Sequence, residues 1–562
     1  MSTPAEIRKQ LRTRMAQMDT DRQRWRSHWL DLQSYLLPEH GFGLSGSNSQ
    51  EQTDGGKKHG KIIDNTASKS LNVLAAGLQS GLTSPTRPWF RLALGDKDLM
   101  AFFPVKLWLE TVEERIRYVL NRSNAYRSLH HGYLELGAFG TWAQLVTEDF
   151  QTGIHCRPFT IGEFWLGVDH KLNVNSFYRS FWQSPEQMIA EFGRENVSAP
   201  VALAYDNNQT ALFEVIQAIE PNDDRISVDD AGTKPWRSVY FEAASSEEKL
   251  LQTSGYDDFP VQAPRWAVVA GKVYGYSVGM ENLGDTKMLQ KLSEKQLVNM
   301  DKALTPPLKA PSSLKNEVIN TVPGGVTYTD DMTGRDNFTT LYNVPDMLQS
   351  SQMVKSEVQQ RIKTGFFTDL FLMLQNLDKR NMTATEVSER HEEKLLMLGP
   401  VLERLDSELL DPLIDRIFNI LLRTGMLPPA PQEIQGQVLH VEYISVLAQA
   451  QKLVGVTNLQ QFSGFVGSLG AVQPQTFDKV DFDAMVDDYA DRVGVSPRVI
   501  RTPEMVAQLR ADRAKQQQMQ QAMAAGQQLA DGAKTLSETD TKGNNALAAI
   551  MGRMPGLSPA AA

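Results

Sequence analysis

The chain reads as an α+β protein, predominantly helical. Apolar residues recur at three- and four-residue steps over long stretches near the N-terminus and again in the second half, the spacing of amphipathic helices. Between these, residues 141–276 hold short apolar runs joined by polar turns such as QTG and HKLN, which is strand and hairpin texture. A third observation is residues 285–425, where two helix-forming stretches bracket a proline-rich insert and a long helical pattern follows.

Taken in order, residues 4–37 make one long helix. Ile7, Leu11, Met15, Met18, Trp25, Trp29, Leu32 and Leu36 keep its period, with Pro4 near the start and Pro38 just past the end. Residues 41–61 (GFGLSGSNSQEQTDGGKKHGK) hold almost no apolar side chains and read as a mobile loop. A helix from Asn65 puts Ala67, Leu71, Leu74 and Leu78 on one face and ends before SPTRPW; residues 105–121 and 125–136 are two more. After the strands of 141–183, Ser184 caps a short helix with Pro185 in its first turn. Residues 212–242 and 264–276 supply further strands.

Residues 285–304 and 346–365 are helix formers with few apolar positions, a stripe too thin to dock firmly on a core within one chain. Between them Pro306, Pro307 and Pro311 cannot continue a helix. Residues 366–382 (FFTDLFLMLQNLDKRNM) read as a mixed apolar and charged loop. Thr383 and Glu386 then form a capping-box pattern. The helix they start keeps Val387, His391, Leu395, Leu398, Leu402, Leu405, Leu409, Leu413, Ile417 and Ile420 in step. It spans roughly 60 Å at 1.5 Å per residue, and Pro400 and Pro412 inside it are expected to bend it. Residues 434–510 give short helices, and the Gln/Ala-rich stretch from Arg513 a marginal helix fraying into disorder. Thinly apolar helices of this kind suit packing against copies of the same chain.

Composition narrows the class. The 562 residues suggest about three to four domains. With 41% hydrophobic and 22% charged residues, the chain falls in the ordinary range of soluble globular protein. A net charge of −10 repels a phosphate backbone in bulk, so any contact with DNA is expected to be local or transient. The single cysteine, Cys156, excludes a disulfide framework or thiolate cluster and fits a reducing compartment. The first residues, MSTPAEIRKQLRTRM, lack the apolar run of a signal peptide, and no apolar stretch approaches the ~20 residues of a membrane span. A soluble protein, made in the cytoplasm, is the expectation.

Motifs for catalysis are weak or broken. Gly41–Gly46 matches GxGxxG, but a helix precedes it and polar loop follows, whereas the dinucleotide fingerprint needs a strand before and a helix after. Gly55–Lys61 (GGKKHGK) fits a phosphate loop until Ile62 stands where Ser or Thr would bind magnesium. His130 and His131 are adjacent, so on a helix they point about 100° apart and cannot share a metal on one face. The pairs Asp223–Asp224, Asp257–Asp258 and Asp330–Asp331 read as solvated turn residues. The aromatics of 159–182 read as sheet core rather than a base-stacking surface, since only Arg157, Lys171 and Arg179 are interleaved. No catalytic residue, cofactor or metal site is expected.

Three blocks carry a family resemblance: DNTASKSLNVLAAGLQSGLTSPTRPWFRL, VDHKLNVNSFYRSFWQSPEQMIAEFG and SGYDDFPVQAPRWAVVAGKVYGYSVG, followed by the helix toward Leu304. In that order they resemble the portal, or head-to-tail connector, proteins of short-tailed, T7-like double-stranded DNA bacteriophages. The resemblance implies the portal fold of wing, stem, clip and crown, assembled as a ring, usually a homododecamer, with a central DNA channel. It implies an N-terminal wing helix over 1–40 and an α+β wing over 41–283. Stem helices fall at 284–304 and 346–365, the clip at 305–345 and a tunnel loop at 366–382. A long kinked helix takes 383–424, a crown 425–510, and a barrel helix or disordered tail 511–562. The implied role is packaging and ejection of the genome at the unique capsid vertex of the virion, and nucleation of capsid assembly. The implied partners are the terminase large subunit, the major capsid protein and scaffold, and the tail adaptor protein, with no membrane. Candidate phosphate contacts are Lys355, Arg361, Lys363, Lys379 and Arg380; candidate clip contacts to the tail adaptor are Lys309, Lys315 and Asn316. The alternatives are a terminase-type ATP-driven enzyme, against which Ile62 argues, or a tail adaptor ring.

Overall fold

The computed structural model describes residues 3–41, 44, 60–95, 99, 102–222, 234–245, 249–269, 271–304, 308–309, 339–340, 348–376, 397–434, 439–444, 462–469, 473, 475, 479–493, 501 and 503–537. Contacts divide the chain into two units, Met1–Val454 and Gly455–Ala562.

The first unit opens with α1 (Pro4–Tyr35), and Thr3 caps it. The Thr3 hydroxyl accepts from the Glu6 amide at 3.3 Å, and the Glu6 carboxylate accepts from the Thr3 amide at 2.8 Å. Next come α2 (Thr66–Leu82), β1 (Phe90–Leu94), α3 (Phe103–Arg122) and α4 (Ala125–Phe139). α4 ends on Gly140 at φ +80°, a left-handed position where a Cβ would also press on the backbone of Gly275. The helices expected at 4–37, from 65, at 105–121 and at 125–136 are all present.

Strands β2 (Ala143–Asp149), β3 (Gly153–Phe159), β4 (Phe164–Val168) and β5 (Val174–Gln183) lead to α5 (Pro185–Phe192) and α6 (Ala199–Asp206). Then come β6 (Phe213–Pro221), β7 (Trp236–Glu242), β8 (Gln252–Tyr256) and β9 (Val261–Gln262). They build a three-stranded sheet, β3-β2-β9, and a five-stranded antiparallel meander, β4-β5-β6-β7-β8. Because side chains alternate across a strand, Ile216 and Ala218 of β6 meet Leu11 of α1, while Val215 meets Met188, Phe192 and Val201 of α5 and α6. The meander is thus covered on both faces. Ser184 makes the capping box of α5 with Gln187, as its position before Pro185 suggested. Of the crowded aromatics, Phe159, Phe164, Trp165, Phe177 and Tyr178 are buried, so they are core.

Charge ties α1 to this sheet. Glu220 is fully buried and takes Arg237 at 2.5 Å, Arg14 at 2.8 Å and the Tyr178 hydroxyl at 2.5 Å. The Arg8 guanidinium donates to the Glu242 carbonyl at 2.9 Å, and Arg22 lies over the Trp165 ring.

Farther on lie α7 (Val278–Glu281), α8 (Leu283–Leu304), β10 (Leu308–Lys309), β11 (Thr339–Thr340), α9 (Leu348–Gly365) and α10 (Thr368–Asn376). Residues 397–405 are helical and pass through a π-turn, Asp406–Leu410, into α11 (Asp411–Arg423). β12 (Leu439–Tyr443) pairs antiparallel with β1, closing the unit. One main core gathers Trp29 and Leu32 of α1, Leu71, Leu74 and Leu78 of α2, Leu129 and Leu136 of α4, and Leu413, Ile417 and Ile420 of α11. The second unit holds helical residues 462–469, α12 (Phe482–Val493) and α13 (Pro503–Ser537), so the Gln/Ala-rich stretch from Arg513 is helical as far as Ser537.

Several expectations need correction. Among the described residues of 264–276 there is no strand, only the isolated bridges Thr141↔Arg265 and Ala267↔Tyr276. Pro264, lacking an amide proton, interrupts the ladder with β2, which resumes in the same register at Thr141↔Arg265 and goes no further as a strand. The loop expected over 366–382 is helical over Thr368–Asn376, because Phe366, Leu370 and Phe371 are buried and fold the chain onto α2. Residues 377–382 and 383–396, with Lys379, Arg380 and the capping pair Thr383 and Glu386, lie outside the described residues. The distortion expected at Pro412 takes the form of the π-turn just before it. A proline ring clashes with the carbonyl four residues back, here Glu408, and one extra residue in the turn relieves the clash. Asp257 and Asp258 are not simply solvated, since Arg423 reaches both, at 3.6 and 3.2 Å. The polar loop of 41–61 carries a buried Leu44, whose carbonyl accepts from Arg26 at 2.6 Å.

The π-turn aims Glu408 at Arg265, which is buried. The amide and Nε of Arg265 donate to one carboxylate oxygen at 2.9 and 3.1 Å, and Nη2 donates to the other at 2.7 Å. Nη2 also donates to the Leu172 carbonyl at 3.0 Å, so one guanidinium fastens the loop of 264–276 to the β4–β5 turn and to the helix of 397–423. Glu408→Ala strands that cation and is expected to destabilise the first unit by about 3 kcal/mol, read as a fall in denaturant midpoint.

Candidate functional site

α8 and α9 are the two stretches expected to flank the insert, and they pack antiparallel. Asn282, at the start of α8, touches Gly365, at the end of α9, and Asp285 meets Arg361 one turn on. Only this end of the pair is embedded. Leu283, Thr286, Leu289, Gln290 and Ser293 of α8 are buried, as are Val358 and Ile362 of α9. Toward the insert, Leu297, Val298, Met300, Leu304, Met353 and Val354 are 42–76% exposed. The expectation of a stripe too thin to dock within one chain is therefore right for the far halves and wrong for the near ones. Near the base, polar side chains and two glycines do what apolar residues do elsewhere.

Asp64, in the segment leading into α2, is the centre of that base. Its carboxylate accepts from the Thr66 amide at 2.9 Å, Gln359 at 2.9 Å and Lys355 at 3.0 Å. The Gln290 side chain closes on the same segment: its oxygen accepts from the Ile63 and Asp64 amides at 2.7 and 2.8 Å, and its nitrogen donates to the Asp64 carbonyl at 2.7 Å. Burial pushes the Asp64 carboxyl up, but the hydrogen bonds from Thr66, Lys355 and Gln359 together outweigh it and hold the group below its ordinary value. The carboxylate thus joins α2 to α9, and the backbone of the same segment is held to α8 by Gln290.

Two glycines allow the close approach. A Cβ at Gly365 would collide with the Asn282 amide group, and one at Gly77 of α2 would enter the Phe371 ring of α10. Neither was legible as a contact from sequence, where a helical glycine looks only like a weak spot.

The predicted phosphate contacts fall into separate environments. Lys355 is engaged by Asp64, and Arg361 lies 3.4 Å from Asp285. Lys363 is exposed, with no ion pair among the described residues. Lys379, Arg380, Lys315 and Asn316 lie outside the described residues, and of Lys309 the structure describes the backbone, in β10. The exposed faces of α8 and α9 mix Lys291, Lys295, Lys302, Arg361 and Lys363 with Glu294, Asp301 and Glu357, so no concentrated basic stripe is present among the described residues. The Cys156 thiol is buried and pushed up to about 12 by that burial, which makes it unreactive. Among the described residues no helix is long and apolar enough to cross a membrane.

Residues 8–500 match the family described as bacteriophage head to tail connecting protein. The chain belongs to that family. It is 45% identical over 554 residues to the portal protein of Salmonella phage epsilon15, covering 97% of this chain and 98% of the relative. It is 42% identical over 542 residues to the probable portal protein of Bordetella phage BPP-1, covering 96% and 97%. Among solved structures, a chain in the neck of an empty GTA particle is similar at 9% identity and a TM-score of 0.36, covering 73% of this connector and 88% of that chain. A chain in the virion of a native gene transfer agent particle is similar at 11% identity and a TM-score of 0.30, covering 71% and 95%. Membership in the family is carried by the match over residues 8–500 and by the two sequence relatives.

In this connector the base of the helix pair has a direct test. Lys355→Met removes one of the partners of Asp64 and is expected to cost about 1–2 kcal/mol, the range of a hydrogen bond to a charged group that is partly solvated. The stability lent by Asp64 is present above its ordinary value of 3.8 and is lost as pH falls through the lower folded value. The variant's deficit should therefore persist at neutral pH and shrink in acid, measured by urea unfolding at pH 7 and pH 3.

Proposed function

We propose that the chain is the portal subunit of a double-stranded DNA phage, forming a ring at the head-to-tail junction through which the genome enters and leaves. The observation that carries the reading is membership of the connector family across residues 8–500. The helix pair supports it: α8 and α9 are rooted at one end on α2, and their far halves leave Leu297, Val298, Met300, Leu304, Met353 and Val354 for neighbouring copies to cover. In this reading α8 and α9 are the stem, and residues 305–345 the clip that meets the tail adaptor. The short β10–β11 pairing, Leu308 with Thr340 and Lys309 with Thr339, brings the two arms of that insert side by side.

The wing would comprise 1–283, the narrow point of the channel 366–382, the spine 383–424 and the crown 425–510. Within 366–382, Thr368–Asn376 are helical, as α10. β12 pairs with β1, so in this reading residues 439–443 would pack with the wing. The proposed partners are further copies of the chain, usually twelve, the terminase large subunit, capsid and scaffold proteins, and the tail adaptor.

Passage of DNA needs weak, non-specific contact. A chain of net charge −10 with scattered cations supplies that, since each phosphate–cation contact contributes a salt-dependent increment rather than a fixed hold. Lys363 is the proposed phosphate contact on α9 with no ion-pair partner among the described residues, joined by Lys379 and Arg380, with Arg361 shared with Asp285. Work on the DNA would come from an ATP-driven partner.

Electron microscopy and native mass measurement of the purified chain should find closed rings. The double variant Leu297→Asp and Met353→Asp should lose them, while its melting temperature as a monomer stays within about 2 °C of the parent, because both side chains are exposed and such sites cost little. Rings formed equally well by the variant would remove α8 and α9 from the subunit interface. A parent chain that stays monomeric under every assembly condition would overturn the portal reading itself.

A further inference from the structure

Outside the helix pair, one cluster joins ligand-type side chains from two distant parts of the chain. α4 sets His131 and Glu135 four residues apart on one face, and His40, just past the end of α1, closes on them. His40 Nδ1 lies 2.6 Å from Glu135 Oε1, and His131 Nε2 lies 3.9 Å from the same oxygen; all three donor atoms fall within 4.8 Å of one another. The two imidazoles are nearly parallel, with centroids 4.7 Å apart. His130 and His131 are neighbours in sequence, but it is His131 and Glu135 that share a face of the helix.

We propose that His40, His131 and Glu135 bind a divalent first-row transition-metal ion, zinc above all. Two imidazole nitrogens and a carboxylate oxygen are a three-ligand zinc set, with water completing the shell. Glu135 is fully buried and already aimed: Thr160 Oγ1 donates to Oε1 at 2.7 Å, and the Ile161 amide donates to Oε2 at 3.2 Å. His131 Nε2 faces that carboxylate from beyond hydrogen-bond reach and makes no hydrogen bond among the described residues. A tetrahedral ion with bonds of about 2.0–2.1 Å holds its ligands about 3.3 Å apart. His40 must therefore draw back from Glu135 by roughly 0.7 Å, and His131 must close by roughly 0.6 Å. The rings are stacked, so their in-plane lone pairs do not meet as they stand, and both rings must also rotate about their side-chain bonds while the buried carboxylate stays put.

Without an ion, His40 Nδ1 donates its proton to Glu135. On binding, His40 takes the tautomer protonated at Nε2 and presents the Nδ1 lone pair to the metal, so no net proton is released from that ring. The ion would fasten the chain just beyond α1 to α4. That junction is already tied by the Gly41 amide donating to Thr160 Oγ1 at 2.6 Å.

The test uses the full-length protein, stripped with chelator and dialysed. Titration with zinc, and with cobalt as a visible-absorption probe, should give one ion per chain and a cobalt ligand-field band. His131→Ala, at a ring one-third exposed, should weaken zinc binding at least about tenfold, with its metal-free melting curve unchanged. His170→Ala, an exposed histidine elsewhere, should leave binding as it was. Absence of stoichiometric binding in the parent chain, equal affinity in His131→Ala, or equal loss in His170→Ala would each overturn the assignment.

Discussion

The first unit depends on the burial of α2. Ala67, Leu71, Leu74, Ala75, Leu78 and Leu82 are nearly or wholly buried, and α4, α9 and α10 all pack on this one helix. Each such leucine contributes about 1.5–3 kcal/mol relative to exposure. The close fit rests on small residues as much as on large ones. Gly77 opens the groove that the Phe371 ring fills, and Gly137 of α4 lets Leu71 and Leu74 come within contact of its backbone. Extra methyl groups in such a seam force neighbours off their rotamers at a typical cost of 1–3 kcal/mol. α2 is therefore both the post on which the helix pair stands and the place where it can least be altered.

Buried charge does the fastening between layers that apolar packing leaves unspecified. Glu220 holds α1 to the meander through Arg14, Arg237 and Tyr178, and Glu408 holds the loop of 264–276 through Arg265. Ion pairs of this kind add little net stability over a well-packed apolar alternative, but each costs several kcal/mol to break from one side. Their contribution is to register. The π-turn before Pro412 belongs in the same account, because the residue that relieves the proline clash also carries Glu408 to its partner.

For a connector, the consequence is a division of labour along α8 and α9. The near halves are immobilised on α2 through Asp64 and Gln290, and the far halves keep apolar side chains in water. A pair rooted at one end and unfinished at the other suits a proposed ring in which neighbouring copies complete it. The mixed charges on its surface suit DNA that must slide rather than bind. Lys355, expected from sequence as a DNA contact, also holds the base together through Asp64. Its position on a polar helix could not distinguish those roles, since the partner lies 291 residues away in the chain.

Much of the architecture was legible from residue order. The helical period gave α1, α2, α3, α4, α8 and α9 close to their observed limits, and the capping signals at Ser184 and Pro185 marked α5. The three resembling blocks pointed to the connector family. What escaped were features with no local signature. β1 and β12 pair across some 345 residues, α10 is a helix because Phe366, Leu370 and Phe371 find α2, and the pairing of 264–276 with β2 is interrupted at Pro264. His40, His131 and Glu135 converge only once α1 and α4 are packed. Period and capping are properties of neighbours along the chain, so the sequence by itself determined the helices, the strand-rich middle and the family. Strand partners, the partners of buried charges and the roles of Gly77 and Gly365 depend on which distant surfaces meet, and only the tertiary structure decided those.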